Sequence, residues 1–308
     1  GVMIRRALLI ALLAGSVCAT AQTRYPAKPV RLIIPFPPGS STNDILGRAL
    51  AQRLSDALGQ PFIADNRPGV GGNLGSEIAA KSVPDGYTLL IGTNGPIGIS
   101  PHLYKALGYD PLKDLAPITL YAMVPYAIIV HASVKATNIN ELIALAKASP
   151  GRLLYASPGN GSTPHLCVEM FKRQAGIDIT HVAYKGGSPA TIDLLAGQVQ
   201  VFCPGLPPVL PHIKSGKLRG LAVAGPKRIA AFQDVPTIAE AGLPGVDGVV
   251  WNGFFVPAGT PKDIITKLHG EIASVMKQND VRERLIASGV EPQINTPAEF
   301  AAYIESET

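Results

Sequence analysis

The chain has 308 residues, of which 46% are hydrophobic and 16% charged, which excludes a disordered protein. Lys and Arg number 27 against 22 Asp and Glu, a net +5. These charges are scattered, with no basic run interleaved with aromatics, so no nucleic-acid partner is expected. Single cores stop growing near roughly 250 to 300 residues, and two units are therefore predicted.

Met3 to Arg6 is a short positive start, Ala7 to Ala14 is apolar, and Ala19-Thr20-Ala21 is a small-x-small site. This three-part pattern predicts a signal peptide over 1–21. Removing it takes Arg5, Arg6 and Cys18 and leaves Cys167 and Cys203 in an oxidising compartment. A bridge between those two and a pair of buried free thiols both fit. Neither a CxxC motif nor a His/Cys cluster with zinc spacing occurs, so no metal is expected.

In chain order, Val30 to Phe36 reads as a buried strand closed by Pro37-Pro38-Gly39. From Asp44 to Leu58, the residues Ile45, Leu46, Ala49, Leu50, Leu54, Ala57 and Leu58 form one stripe at helical spacing. A strand Pro61 to Asp65, a Gly-rich stretch, a helix through about Lys81 and a strand Tyr87 to Gly92 repeat the unit. Asn138 with Glu141 predicts a capped helix through Ser149. Next come the strand Leu153 to Ser157, the loop Pro158 to Thr163, and a helix from Pro164 to about Ala175. Strands Ile179 to Tyr184, Val199 to Cys203 and Leu218 to Ala224 follow, separated by helices Ser188 to Ala196 and Pro208 to Ser215. After the strand Trp251 to Val256 the chain is helical, with starts at Thr260-Pro261, Asn279 and Thr296-Pro297. This alternation predicts an α/β fold with mostly parallel sheets. Extended crossings near Val124 to Val130, and near Val223 to Gly225 or Val249 to Val256, predict a middle lobe over 125–224 inserted between 22–124 and 225–308. Ligands of such sheets collect where strands end and helices begin.

Two strand-to-helix junctions share one chemistry: Gly39-Ser40-Ser41-Thr42-Asn43 and Ser157-Pro158-Gly159-Asn160-Gly161-Ser162-Thr163. Each joins glycine to hydroxyls and unpaired N–H groups at a helix start, a natural seat for an anion. Capping by Ser and Thr explains either loop alone; the pair, one in each lobe, points to a small carboxylate held between them. Asp44 would repel that anion and is expected to point away. Lys185, before Gly186, either faces the anion or is solvated, while His165 is a first-turn helical residue and Trp251 fits the core better than the site. Thr93 and Asn94, at another strand end, complete the candidate site. Enzyme readings fail: Leu74 breaks a dinucleotide-type glycine pattern after Gly69, and Ser162 with His165 lacks the nucleophile-elbow spacing.

The segments YPAKPVRLIIPFPPG, NRPGVGGNLGSEIAAKSVPDGYTLLIGT, YASPGNGSTPHLCVEMFKRQAGIDITHVAYKGG, GKLRGLAVAG and DVPTIAEAGLPG, in that order, resemble the Bug receptors. These are extracytoplasmic solute-binding proteins of the tripartite tricarboxylate transporter family. The resemblance implies a two-lobed periplasmic-binding-protein clamshell, each lobe a mostly parallel sheet flanked by helices. It also implies a carboxylate gripped by the loops Gly39 to Asn43 and Gly159 to Thr163, delivery to membrane transporter subunits, a periplasmic location, no cofactor and no catalysis. A monomer is expected, and a chemosensory receptor for a carboxylate is the alternative function. Two departures stand out. Ser40 replaces a glycine usual in the first loop, and Pro204-Gly205 stands where many relatives have Asp-Asn. The missing carboxylate argues against an amino acid and toward a dicarboxylate or aromatic carboxylate.

Overall fold

The computed structural model describes residues 25–39, 41–246 and 248–307; the expected signal peptide and Ser40 lie outside them. The first run of elements is β1 (Val30–Ile34), α1 (Thr42–Leu58), β2 (Phe62–Asn66), α2 (Asn73–Ala80), β3 (Thr88–Thr93), α3 (Ser100–Leu103), α4 (Pro111–Asp114) and β4 (Leu115–Val124). The second is β5 (Tyr126–His131), α5 (Ile139–Ala148), β6 (Leu154–Ser157), α6 (Thr163–Ala175), β7 (Thr180–Ala183), α7 (Gly187–Leu195), β8 (Val201–Phe202), α8 (Leu210–Lys214) and β9 (Leu218–Ala224). The chain closes with β10 (Val250–Pro257), α9 (Lys262–Met276), α10 (Asn279–Ala287), β11 (Glu291–Pro292) and α11 (Pro297–Glu307).

β1 is apolar apart from Arg31, which pairs with Asp65 on β2, because both of its faces are covered, which removes the polar alternation of a half-exposed strand. Val30, Leu32 and Ile34 pack under α1 and α9 with Leu46, Leu50, Leu54, Leu268 and Ile272. Ile33, pointing the other way, joins Ala79, Trp251, Phe255, Phe300 and Ile304. Trp251 is therefore core, as expected. The stripe read on α1 is narrower than its apolar spacing suggested: Leu46, Leu50 and Leu54 are buried, whereas Ile45 and Ala57 face outward.

The first sheet has the order β11-β4-β10-β3-β1-β2 and the second β7-β6-β8-β5-β9. Within the first, β1, β2 and β3 are parallel and β10 lies antiparallel between β3 and β4. Within the second, β6 is parallel to β7 and β8, and β5 runs antiparallel between β8 and β9. Most strands of each sheet thus share one direction, and the strands that carry the chain between sheets bring the antiparallel pairing. The passage out is abrupt, with Pro125 alone between β4 and β5. The return runs from Ala224 through residues 225–249 into β10. Residues 115–123, which carry Pro117, drew no strand from the sequence, yet β4 is the longest strand described; it lies one place in from the sheet's edge, between β11 and β10, and β10 pairs along its length.

Caps read from sequence are in place. The Asn138 side chain accepts from Glu141 N at 3.0 Å, while Glu141 reaches back to Thr137 N at 2.7 Å. Thr296 accepts from Glu299 N at 3.2 Å, and Glu299 accepts from Thr296 N at 2.8 Å, a complete capping box.

α2 meets β1 through Gly75, where a Cβ would stand 2.7 Å from Pro35 Cβ and 2.8 Å from the Arg67 carbonyl oxygen. Backbone cannot yield as a side-chain tip can, so Gly75→Ala is expected to lower the unfolding free energy by about 1–3 kcal/mol. Denaturant titration beside the parent checks this, and an unchanged midpoint would refute it.

Candidate functional site

One cavity of about 530 Å³ lies between the two sheets, at the ends of their parallel strands. Its walls are the loops that follow β1, β2 and β3 on one side and β6, β7 and β8 on the other. Three helices start there. α1 begins after Ser41, whose hydroxyl accepts from Asp44 N at 3.2 Å and donates to the Pro37 carbonyl at 2.9 Å. That cap takes the Asp44 N–H and leaves those of Thr42 and Asn43 without an intrahelical acceptor. α6 begins after Ser162, whose side chain does not cap the helix; it donates instead to the Gly159 carbonyl at 2.7 Å. α7 begins after Gly186, which has no side chain to cap with. A Cβ at Gly186 would collide with the Pro37 ring across the cavity, so glycine is required both for its φ of 116° and for the close approach.

Of the expected site residues, Ser41, Thr42, Asn43, Thr93, Asn160, Ser162, Thr163, Lys185, Gly186 and Pro204 line this cavity. Gly39, Asn94, Ser157 and Gly161 are not among its lining residues. Gly39 N–H donates to Asp44 Oδ2 at 2.9 Å. Asn94 Oδ1 accepts from Thr163 Oγ1 at 3.4 Å, linking the two halves. Asp44 points away from the cavity, as expected: it is buried and also accepts from Arg48 Nε at 3.0 Å and Asn66 Nδ2 at 2.8 Å. Asn43 Nδ2 donates to Asn252 Oδ1 at 2.5 Å, which fixes the Asn43 side chain from below.

Sequence reading missed much of the wall. Phe36, Tyr104, Tyr126, Tyr184 and Phe202 contribute rings to it, and the Gly-rich turn Gly69 to Gly72 forms one side. Gly69, Gly71 and Gly72 all have positive φ, and so does Val70 at 47°, a strained conformation for a β-branched residue. Lys185 is the one charged side chain among the described residues lining the cavity. At Gly205, a Cβ would stand 2.8 Å from Val124 Cγ1 and 2.9 Å from Thr42 Oγ1. The turn after β8 therefore touches the start of α1 directly.

Behind the second loop lies a titratable cluster. His181 Nε2 is 2.7 Å from Ser157 Oγ, and His165 Nδ1 accepts from Gly161 N–H at 3.3 Å. The two imidazoles are 4.4 Å apart between centroids, and Tyr155 stacks on His181 at 4.7 Å. Burial pushes both histidines below their ordinary pKa; for His181 the neighbouring His165 adds to the effect. Burial thus favours the neutral form of both while they brace the loop.

Two α/β units joined by crossing strands around a cleft at strand ends define a solute-binding protein of the periplasmic type. The chain belongs to the tripartite tricarboxylate transporter family receptors, whose family model matches residues 46–308. It is 38% identical to protein BugT of Bordetella pertussis over 96% of this chain and 90% of that one. Among solved structures, the adipate-bound Rpa4515 of R. palustris superposes with a TM-score of 0.89 at 37% identity, covering 92% of this chain and 94% of that one. MatC from Rhodopseudomonas palustris with bound malate gives 0.86 at 30%, covering 92% and 97%.

The histidines set a pH dependence. An imidazole whose folded pKa is depressed binds fewer protons in the fold than in the unfolded chain, so stability falls as pH drops below the ordinary value near 6.5 and levels off below the folded pKa. The thermal midpoint is expected to decline from pH 7 to pH 5, ahead of carboxylate titration, and His181→Gln is expected to flatten that decline. Parallel slopes in parent and variant would exclude the His181 contribution.

Proposed function

We propose that the protein captures a small carboxylate in the cavity between the two sheets and presents it to a membrane transporter from the periplasm. The observation that carries this reading is the convergence of three helix starts on a cavity lined by no described acidic side chain. Unpaired N–H groups and helix dipoles there favour an anion, and each such end contributes about 0.3–1 kcal/mol at exposed sites and more when water is excluded. Hydroxyls of Thr42, Ser162 and Thr163 and the Lys185 ammonium supplement them. The relatives that carry adipate and malate support a carboxylate ligand, and the rings along the wall suit an apolar body between or beyond its charged groups.

Among the described residues that line the cavity none forms a nucleophile and base pair, and the role we propose is conformational. Residues 25–124 and 250–307 make up one lobe and 125–224 the other; residues 229–246, expected in the first lobe, pack on the second instead through Ile229, Val235, Ile238 and Val246. Solute bridging the lobes shifts an open and closed equilibrium toward the closed form that a transporter recognises. A thermal-shift series of mono-, di- and tricarboxylates tests the ligand class, since a solute at 100 times its Kd stabilises by about 2.7 kcal/mol. The bound solute is expected back unchanged; turnover would overturn the receptor reading.

Two substitutions probe the site. Ser162→Asp places a fixed charge where the anion sits. At about 4 Å and an effective dielectric of 20 the repulsion is about 4 kcal/mol, or about a thousandfold in affinity, with folding intact because a carboxylate suits a helix start. Near-parental affinity in a folded Ser162→Asp protein would remove this loop from the site. Pro204→Asp introduces the carboxylate that the resemblance to the Bug receptors led us to expect here, without the clash that a side chain at Gly205 would create. It is expected to add measurable calorimetric binding of aspartate or glutamate where the parent has none. Silence in a folded variant would show that Pro204 does not exclude amino acids.

A further inference from the structure

Cys167 and Cys203 belong to different elements that meet at the cavity's back wall. Cys167 is in the second turn of α6, the helix whose start carries Ser162 and Thr163, and Cys203 directly follows β8 and precedes Pro204. Both side chains are fully buried, and their sulfurs are 3.0 Å apart. Separate sulfur atoms normally rest farther apart than that, and a change of about 1 Å, within the reach of a Cys χ1 adjustment, brings them to the 2.03–2.05 Å of a bond. The site leaves no room behind Cys167: a Cβ at Gly248 would stand 3.0 Å from Cys167 Sγ and 2.9 Å from Ala224 Cβ, so only glycine fits behind the sulfur.

We infer that Cys167 and Cys203 form a disulfide that ties the helix bearing the second anion loop to the strand end bearing Pro204. The inference draws its compartment from the periplasmic reading above, since thiols this close persist as thiols in a reducing cytosol and become oxidised outside it. The oxidant is a disulfide-carrying oxidoreductase of the secretory compartment. One cysteine thiolate attacks its disulfide to give a mixed disulfide and release one oxidant thiol. The second cysteine thiolate then attacks the mixed disulfide. One S–S bond forms here and one breaks there. The two electrons pass to the oxidant, which leaves as a dithiol carrying the two protons the cysteines gave up. Neither sulfur is accessible in the folded chain, and burial raises the Cys203 thiol well above its ordinary pKa. The bond therefore forms while the lobe is folding and is shielded afterward.

The test is thiol mapping. Protein exported to an oxidising compartment is unfolded in guanidinium without reductant, treated with iodoacetamide and digested. Cys167 and Cys203 are expected unalkylated, in one cross-linked peptide pair 2 Da lighter than the reduced peptides together. In parallel, reduced protein is refolded in a glutathione/glutathione disulfide buffer, which examines the pair independently of location. Alkylated cysteines from export with a bond formed in glutathione would sink the compartment reading and keep the pairing. Two alkylated cysteines in both samples would overturn the inference. As a second readout, reductant present through unfolding should lower the thermal midpoint of the parent by roughly 5–15 °C. It should leave Cys167→Ala/Cys203→Ala unmoved, which separates loss of the bond from loss of packing. A parent midpoint indifferent to reductant would likewise count against the bond.

Discussion

Everything at the centre of this molecule depends on backbone N–H groups that no residue of their own helix satisfies. A helix start leaves its first N–H groups open, and a buried orphan of that kind is costly unless something accepts from it. Here the chain caps only partly. Ser41 takes one N–H of α1, Ser162 turns its hydroxyl to the Gly159 carbonyl, and Gly186 offers nothing. The strand directions bring these three starts to one place, because loops after parallel strands emerge on the same edge of a sheet.

Around that arrangement, the charges are kept from spoiling it. Asp44, in the first turn of α1, would oppose an anion if it faced the cavity. It is held away by Gly39 N–H, Arg48 and Asn66, and so stabilises the helix start from the far side. On the opposite loop, two imidazoles whose neutral form burial favours brace the backbone where a carboxylate would repel the proposed anion. His181 meets Ser157, whose hydroxyl in turn accepts from Gly159 N–H at 3.1 Å, and His165 holds Gly161.

The elements were legible in the sequence where local chemistry is strong. The apolar run of β1, the Asn138 and Thr296 caps and the two Ser/Thr/Gly loops each carry their signal within a few residues. The start of α7 was harder to see as part of the site because it lacks a capping side chain; glycine is there for clearance against Pro37, a contact between residues about 150 positions apart. The ring-lined wall was invisible for the same reason, since Phe36, Tyr104, Tyr126, Tyr184 and Phe202 become neighbours only through topology. Val70 at positive φ could not be read at all, because nothing in a β-branched residue announces a backbone conformation it normally avoids.

The two passages between the sheets lie side by side: a Cβ at Gly225 would sit 3.3 Å from Val249 and 3.6 Å from Pro125. Adjacent ribbons of this kind bend together about one line and resist sliding past each other. Pro125 sharpens that restriction by fixing its own φ near −65°. On the proposed function, relative motion of the lobes would be a single swing, like a door on two hinges mounted on the same post. A partner that senses only the free edges of the lobes would read the presence of solute as one angle.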